Sequence, residues 1–177
     1  MELALARRYK RWRHGRGFGI HSPFAYDFTI RTLRERLPYY GYDDIDGALA
    51  SGDTHFSSRQ LRLIFRIAVR FNPSRVAIIG GEDDHALTAA LKALRTNIAI
   101  TDDPAGANFI IVNADSDLCL GKEKAVLLFP DAKRGASATL ERVWQQVNRG
   151  MRFDNGHGFS IIVADPKLPR QQFDIRF

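Results

Sequence analysis

From Tyr26 onward, apolar residues recur at Ile30, Leu33 and Leu37, spacings of 4, 3 and 4 that trace one face of a helix. Ser22-Pro23 predicts where that helix starts. Serine accepts a free backbone N–H, and proline at the first helical position has no N–H to leave unpaired. Pro38 predicts its end. Phe24 and Phe28 are its expected anchors. Residues 38–56, "PYYGYDDIDGALASGDTHF", predict a loop with room for a helical turn. A second helix is predicted over 58–71, with Leu61, Ile64, Phe65 and Ala68 inward. Arg59, Arg62, Arg66 and Arg70 fall on another face, and Asn72-Pro73 ends the helix.

Beyond residue 73 the pattern changes to short apolar runs alternating with helical stripes. "RVAII", "NIAIT", "NFIIVN", "KAVLLF" and "FSIIVA" read as strands. Asp83 or Asp84 predicts a cap for a helix with Leu87, Ala90, Leu91 and Leu94 inward. Ser137 predicts the cap of another, with Leu140, Val143, Trp144 and Val147 inward. Strand and helix in alternation predict an α/β fold around a mostly parallel sheet. The stretch "MRFDNGHGFSIIVAD" predicts a hairpin, and with it one antiparallel edge strand. The expected organisation is a helical N-terminal extension over 1–72 and a sheet domain over 73–177.

At 177 residues and 45% hydrophobic, the chain can bury one sizeable core. Its apolar runs are too short for a membrane span. The basic N-terminus is not followed by the apolar stretch of a secretory signal. Cys119 is the sole cysteine, which excludes an intramolecular disulfide and a cysteine-based metal site. A cytoplasmic location is therefore expected.

Charge changes the picture more. The net charge is +6, and residues 1–16 hold Arg7, Arg8, Lys10, Arg11, Arg13 and Arg16 against Glu2 alone. One reading is an arm for nucleic acid or anionic lipid, with cations releasing counterions and Tyr9 and Trp12 stacking on bases. The other is a solvated first helix whose aromatic residues dock on the body. The arginine stripe of the second helix admits the same pair of readings.

In an open parallel sheet, ligands bind beyond the carboxyl ends of the strands. The first strand runs into Gly80-Gly81-Glu82-Asp83-Asp84-His85, where a nucleotide fold would place its glycine loop. Three acids suit a helix N-terminus but repel a phosphate there, which argues against NAD or ATP. A divalent-cation site from these four consecutive side chains requires them to converge on one ion, so a capped helix is the expectation. Ser22, Cys119 and the five histidines form no nucleophilic constellation. Asp102, Asp103, Asp131 and Asp165 follow strands, a place for catalytic acids and for ordinary turn residues. His14 and His21 lack carboxylate or cysteine partners at ligand spacing, and no metal is expected. The stretch "HGRGFGIHSPF" reads as a turn-rich linker into a helix, with a histidine reaching over the sheet as the alternative.

Three segments, "HGRGFGIHSPFAYDF", "RQLRLIFRIAVRFNPSRVAIIG" and "DPKLPRQQFDIRF", resemble the class I S-adenosylmethionine-dependent methyltransferase-like family of Bacteroidetes-type bacteria. The resemblance covers both ends and the first strand. It implies a Rossmann-like methyltransferase-type sheet of reduced size, closed by an antiparallel strand and fronted by a helical N-terminal extension. It assigns the cofactor S-adenosylmethionine to Gly80 and Gly81, with Asp131 matching the acid at the fifth-strand end and Trp144 a tryptophan behind it. Asp102 stands at the place of the ribose acid if "NIAIT" is the second strand; the same run serves equally as the third. Where the family carries an acid before its loop glycine, this chain has Ile78. Asp84 replaces a further glycine, and Asn113 replaces the acid at the fourth-strand end. "DDPAGA" is too short for the helices and extra strand usual there.

These departures imply a degenerate relative with weak or no cofactor binding, acting as a binding or interaction module. An active methyltransferase with an atypical loop is the alternative, and a nucleic-acid-binding protein using residues 7–16 the second. Fold alone does not choose among them. Loss of a strand–helix segment is expected to uncover a sheet face that takes a second copy or another protein.

Overall fold

The computed structural model describes residues 9, 12–13, 15–52, 54–81, 84–121 and 124–177. Helix α1 (Pro23–Phe28) starts where Ser22 Oγ accepts the N–H of Ala25 at 3.3 Å, with Pro23 in the first turn. It passes into a π-helical turn, Thr29–Leu33, closed by the Arg34 N–H on the Thr29 carbonyl at 3.1 Å. That wider turn changes the inward face and ends the helix before Leu37. Phe28, Thr29, Thr32 and Leu33 are buried, whereas Tyr26 and Leu37 of the expected stripe are exposed. Phe28 holds as an anchor, stacked on Phe24 with ring centroids 5.8 Å apart.

The expected loop contains a full helix, α2 (Tyr42–Ser51), with Asp43 and Asp44 in its first turn. Helix α3 (Ser58–Phe71) has the expected bounds. Ser57 and Gln60 form a capping box at its start, and Asn72 ends it in the left-handed conformation at φ 44°. Leu61, Ile64, Phe65 and Ala68 are all fully buried.

The sheet follows with β1 (Arg75–Ile79), α4 (His85–Lys92), β2 (Ala99–Thr101), β3 (Phe109–Val112) and β4 (Ala125–Phe129). Then come α5 (Ala132–Gly135), α6 (Ser137–Gln146), β5 (Gly150–Asp154), β6 (Ser160–Ala164) and β7 (Gln171–Asp174). Ser137 does not cap α6. Instead Asp115, in the loop after β3, accepts the N–H of Thr139 at 2.8 Å, a cap delivered from a distance.

The seven strands are ordered β2-β1-β3-β4-β6-β5-β7. β1, β2, β3 and β4 are parallel to one another, β6 is antiparallel to β4 and β5, and β7 is parallel to β5. The hairpin forms as expected, but its reversed strand lies inside the sheet. The unforeseen β7 takes the edge, beside β5.

Side chains alternate across the sheet, and each face has its own cluster. Val76, Ile78, Phe109, Ile111 and Phe153 pack under α1–α4 together with Ile175 and Phe177. Ala77, Ile110, Leu127, Phe129 and Ile162 pack under α6. Among the described residues the exposed large apolar side chains are Tyr9, Trp12, Phe18, Tyr26, Leu37, Tyr40 and Val69, and none lies on a strand. The expected bare sheet face is therefore not seen as exposed large side chains. No helix among the described residues is long and apolar enough to cross a membrane.

Candidate functional site

In the order β2-β1-β3-β4, chain direction switches sides between β1 and β3. A doubly wound sheet opens its ligand crevice at that point, beyond the carboxyl ends of the two strands. Gly80 and Gly81 follow β1, and Asn113 and Ala114 follow β3. Both glycines have positive φ, 69° and 145°. A Cβ on Gly80 would lie 2.5 Å from Ala114 Cβ, and one on Gly81 2.8 Å from Asn113 Nδ2. Gly135, at the end of α5, presses from another side, its Cβ position 3.1 Å from the Asn113 carbonyl oxygen. The glycines thus let two loops touch each other at the place where they would let a ligand approach.

The polar groups around this point are committed elsewhere. Asp84 Oδ1 accepts the N–H of Leu87 at 2.8 Å, the first turn of α4. Its Oδ2 accepts the Thr54 hydroxyl at 2.7 Å. Ile78 is buried in the core. Asn113 Nδ2 is buried without a hydrogen-bond partner among the described residues. Asp102 is exposed beyond β2, and its neighbour Asp103 faces Arg75 at 3.4 Å. Asp131 lies at the start of α5, half-exposed, 3.4 Å from Arg134 and against Gly158 of the β5–β6 hairpin. Among the described residues, the loops after β1 and β3 lie against each other and both oxygens of Asp84 are engaged. Glu82, Asp83 and His14 lie outside the described residues, and His21 is exposed. Among the described residues no three His, Cys, Asp or Glu side chains gather as a metal site.

A concavity of about 770 Å³ lies on the other side of α3. Trp12 and Arg16 reach it from the N-terminal segment, Arg34 and Arg36 from the exit of the π-helical turn. Arg59, Arg62 and Arg66 come from α3, and Arg176 from beyond β7. A smaller concavity of about 240 Å³ shares Arg59, Leu63 and Arg176 with it and continues to His157.

Two of these guanidiniums are built into the fold. Arg66 donates from Nε to the Thr32 carbonyl at 2.9 Å, from Nη2 to the Leu33 carbonyl at 3.3 Å and from Nη1 to the Tyr42 hydroxyl at 3.0 Å. Arg34 donates to the Gly15 carbonyl, holding the N-terminal segment beside Arg176. Burial, then the charges of Arg36, Arg16 and Arg176, lower the pKa of Arg34. Arg62 pairs with Asp46 at 2.5 Å, and its Nε is buried with no partner among the described residues. Among the described residues Glu35 is the one acidic side chain of the lining, and its carboxylate turns back to the N–H groups of Arg36 and Leu37 at 2.7 and 2.9 Å.

Half of this site was visible in the sequence as two separate features, the arginine arm and the arginine stripe. Arg70, the fourth residue of the stripe, points away and pairs with Asp27 at 2.7 Å. Arg34, Arg36 and Arg176 were missed, because "RTLRER" and "DIRF" are ordinary in isolation and only the fold joins them. Comparison of the chain with family models, with curated proteins and with solved structures returns no match.

Proposed function

We propose that this chain is a binding module built on a reduced, Rossmann-like methyltransferase-type sheet, without a working cofactor crevice. The observation that carries the reading is the contact of the loops after β1 and β3. Gly80 and Gly81 meet Ala114 and Asn113 at distances that leave no room even for a Cβ. A polar atom of a bound cofactor left unpaired would cost about 1–3 kcal/mol, and the position before the loop glycines is held by the apolar Ile78. The strand order agrees with the resemblance in having a reversed strand late in the chain, and with a shortened connection between β2 and β3. The ligand surface in this reading is the arginine groove.

Calorimetric titration with S-adenosylhomocysteine tests it. No heat and no thermal shift at millimolar ligand is the expected result. Micromolar binding would overturn the reading in favour of an active methyltransferase with an atypical loop.

A further inference from the structure

We propose that the arginine groove binds a compact polyphosphate, a ligand presenting three or more linked phosphate groups, rather than a nucleic-acid strand. The proposal deepens the binding-module reading and rests on it for the idea that this protein's work is done away from the crevice. Four observations support it.

The first is charge. Seven guanidiniums line one concavity, and among the described residues the one acidic side chain of the lining, Glu35, is held by its own backbone. Among the described residues Arg36, Arg59 and Arg176 have no ion-pair partner for their side chains. Crowding of this kind is unfavourable until an anion relieves it; at Arg34, burial first and then the charges of Arg36, Arg16 and Arg176 lower the pKa.

The second is residue type. Every cation in the lining is arginine. Its planar fork matches phosphate oxygens in pairs, and it stays charged under partial burial.

The third is preorganisation. Arg66 is fixed by three hydrogen bonds to the π-helical turn and α2, and Arg34 by the Gly15 carbonyl. Arginines held in place lose less side-chain freedom on binding than arginines on a free surface.

The fourth is shape. A volume of about 770 Å³ falls within the range of small-ligand sites. Single-strand binders combine a charged groove with free aromatic faces on which bases stack. Here the lining rings are already covered. Arg16 lies over Trp12 at 4.2 Å, and Arg62 over Tyr42 at 4.8 Å. The site offers forks for phosphates and little for bases.

The test is calorimetric titration of the full chain with sodium tripolyphosphate at near-physiological salt, beside inorganic phosphate and a twelve-nucleotide single strand. Saturable tripolyphosphate binding at least tenfold tighter than inorganic phosphate is expected. Arg36→Ala and Arg59→Ala should each weaken it about tenfold, the scale of one charge-assisted contact. Both side chains are exposed and unpaired, so their thermal midpoints should stay at wild type. Arg134→Ala, outside the groove, should bind as wild type does. Absence of tripolyphosphate binding overturns the proposal, as does binding unaffected by both groove variants. Tighter binding of the oligonucleotide, rising with its length, also overturns it and assigns the groove to nucleic acid. Binding of S-adenosylhomocysteine would end the binding-module reading through a separate titration, so the two failures are distinguishable.

Discussion

Thr54 Oγ1 donates to Asp84 Oδ2 at 2.7 Å, so the loop between α2 and α3 is tied to the N-terminus of α4. The other oxygen of the same carboxylate caps that helix on Leu87. One side chain therefore joins the N-terminal helices to the first loop of the sheet. Asp84→Ala is predicted to destabilise the protein by about 1–2 kcal/mol, from a lost cap and an unpaired hydroxyl. Urea unfolding measures this. Asp84→Gly should lose the Thr54 contact too, and on the binding-module reading it still gives no thermal shift with S-adenosylhomocysteine.

The closeness of the two loops can be measured by a matched pair of substitutions. Gly80 and Gly106 have nearly the same backbone, φ 69° and 70°. A Cβ on Gly106 meets nothing within 4 Å, whereas one on Gly80 meets Ala114 at 2.5 Å. Left-handed strain should cost each alanine variant about 1–2 kcal/mol. Overpacking should add about 1–3 kcal/mol for Gly80→Ala alone. Equal losses for the two variants would mean that the loops are not in tight contact, and the case for a closed crevice would go with them.

What the sequence could reveal followed the range of the forces involved. The α3 bounds were legible because Ser57, Gln60 and Asn72 act within one turn of the chain. The strands of the sheet were legible from their apolar runs, and the β5–β6 hairpin from the turn between them. Helix α2 was missed because Gly41 and Gly52 flank a stretch with only Ile45 and Ala48 buried, a weak stripe. The cap of α6 was misplaced because its acceptor, Asp115, lies 24 residues before Thr139. Nothing local in the sequence shows that Gly80 and Gly81 lie against Ala114 and Asn113. The groove has the same origin. Arg16, Arg34, Arg59 and Arg176 are far apart in sequence, and β7 brings the last of them back to the first.

Asp154 binds three strands together. It accepts Arg152 Nε at 2.9 and 3.0 Å, the Ser160 hydroxyl at 2.6 Å and Gln172 Nε2 at 2.8 Å. Arg152 is buried and also faces Glu141 of α6 at 2.9 Å. Burial opposes its charge, but the hydrogen bond and attraction from Glu141 and Asp154 raise its pKa nonetheless. Removing Asp154 leaves the buried Arg152 with Glu141 alone and the Ser160 and Gln172 donors without their acceptor, so Asp154→Ala should cost about 1–3 kcal/mol. The double variant Arg152→Met, Asp154→Leu should recover much of that loss. Denaturant midpoints of the two variants give the comparison, and a double variant no more stable than Asp154→Ala would contradict it.

Asp165, after β6, supplies a pH signature. Burial pushes its pKa up, but the Lys167 N–H at 2.9 Å and Lys124 Nζ at 3.1 Å outweigh that, and the net direction is down. A carboxylate with a depressed folded-state pKa stabilises the fold above its unfolded value, roughly 3.9, and that contribution is lost as pH falls through the folded value. Asp165→Asn should therefore be less stable than wild type at neutral pH. The difference should shrink as pH drops below about 4, where the unfolded chain takes up a proton that the folded carboxylate still resists. Thermal midpoints of both proteins across pH 2–7 provide the check: parallel curves would show that the Lys124 and Lys167 contacts contribute no net stability.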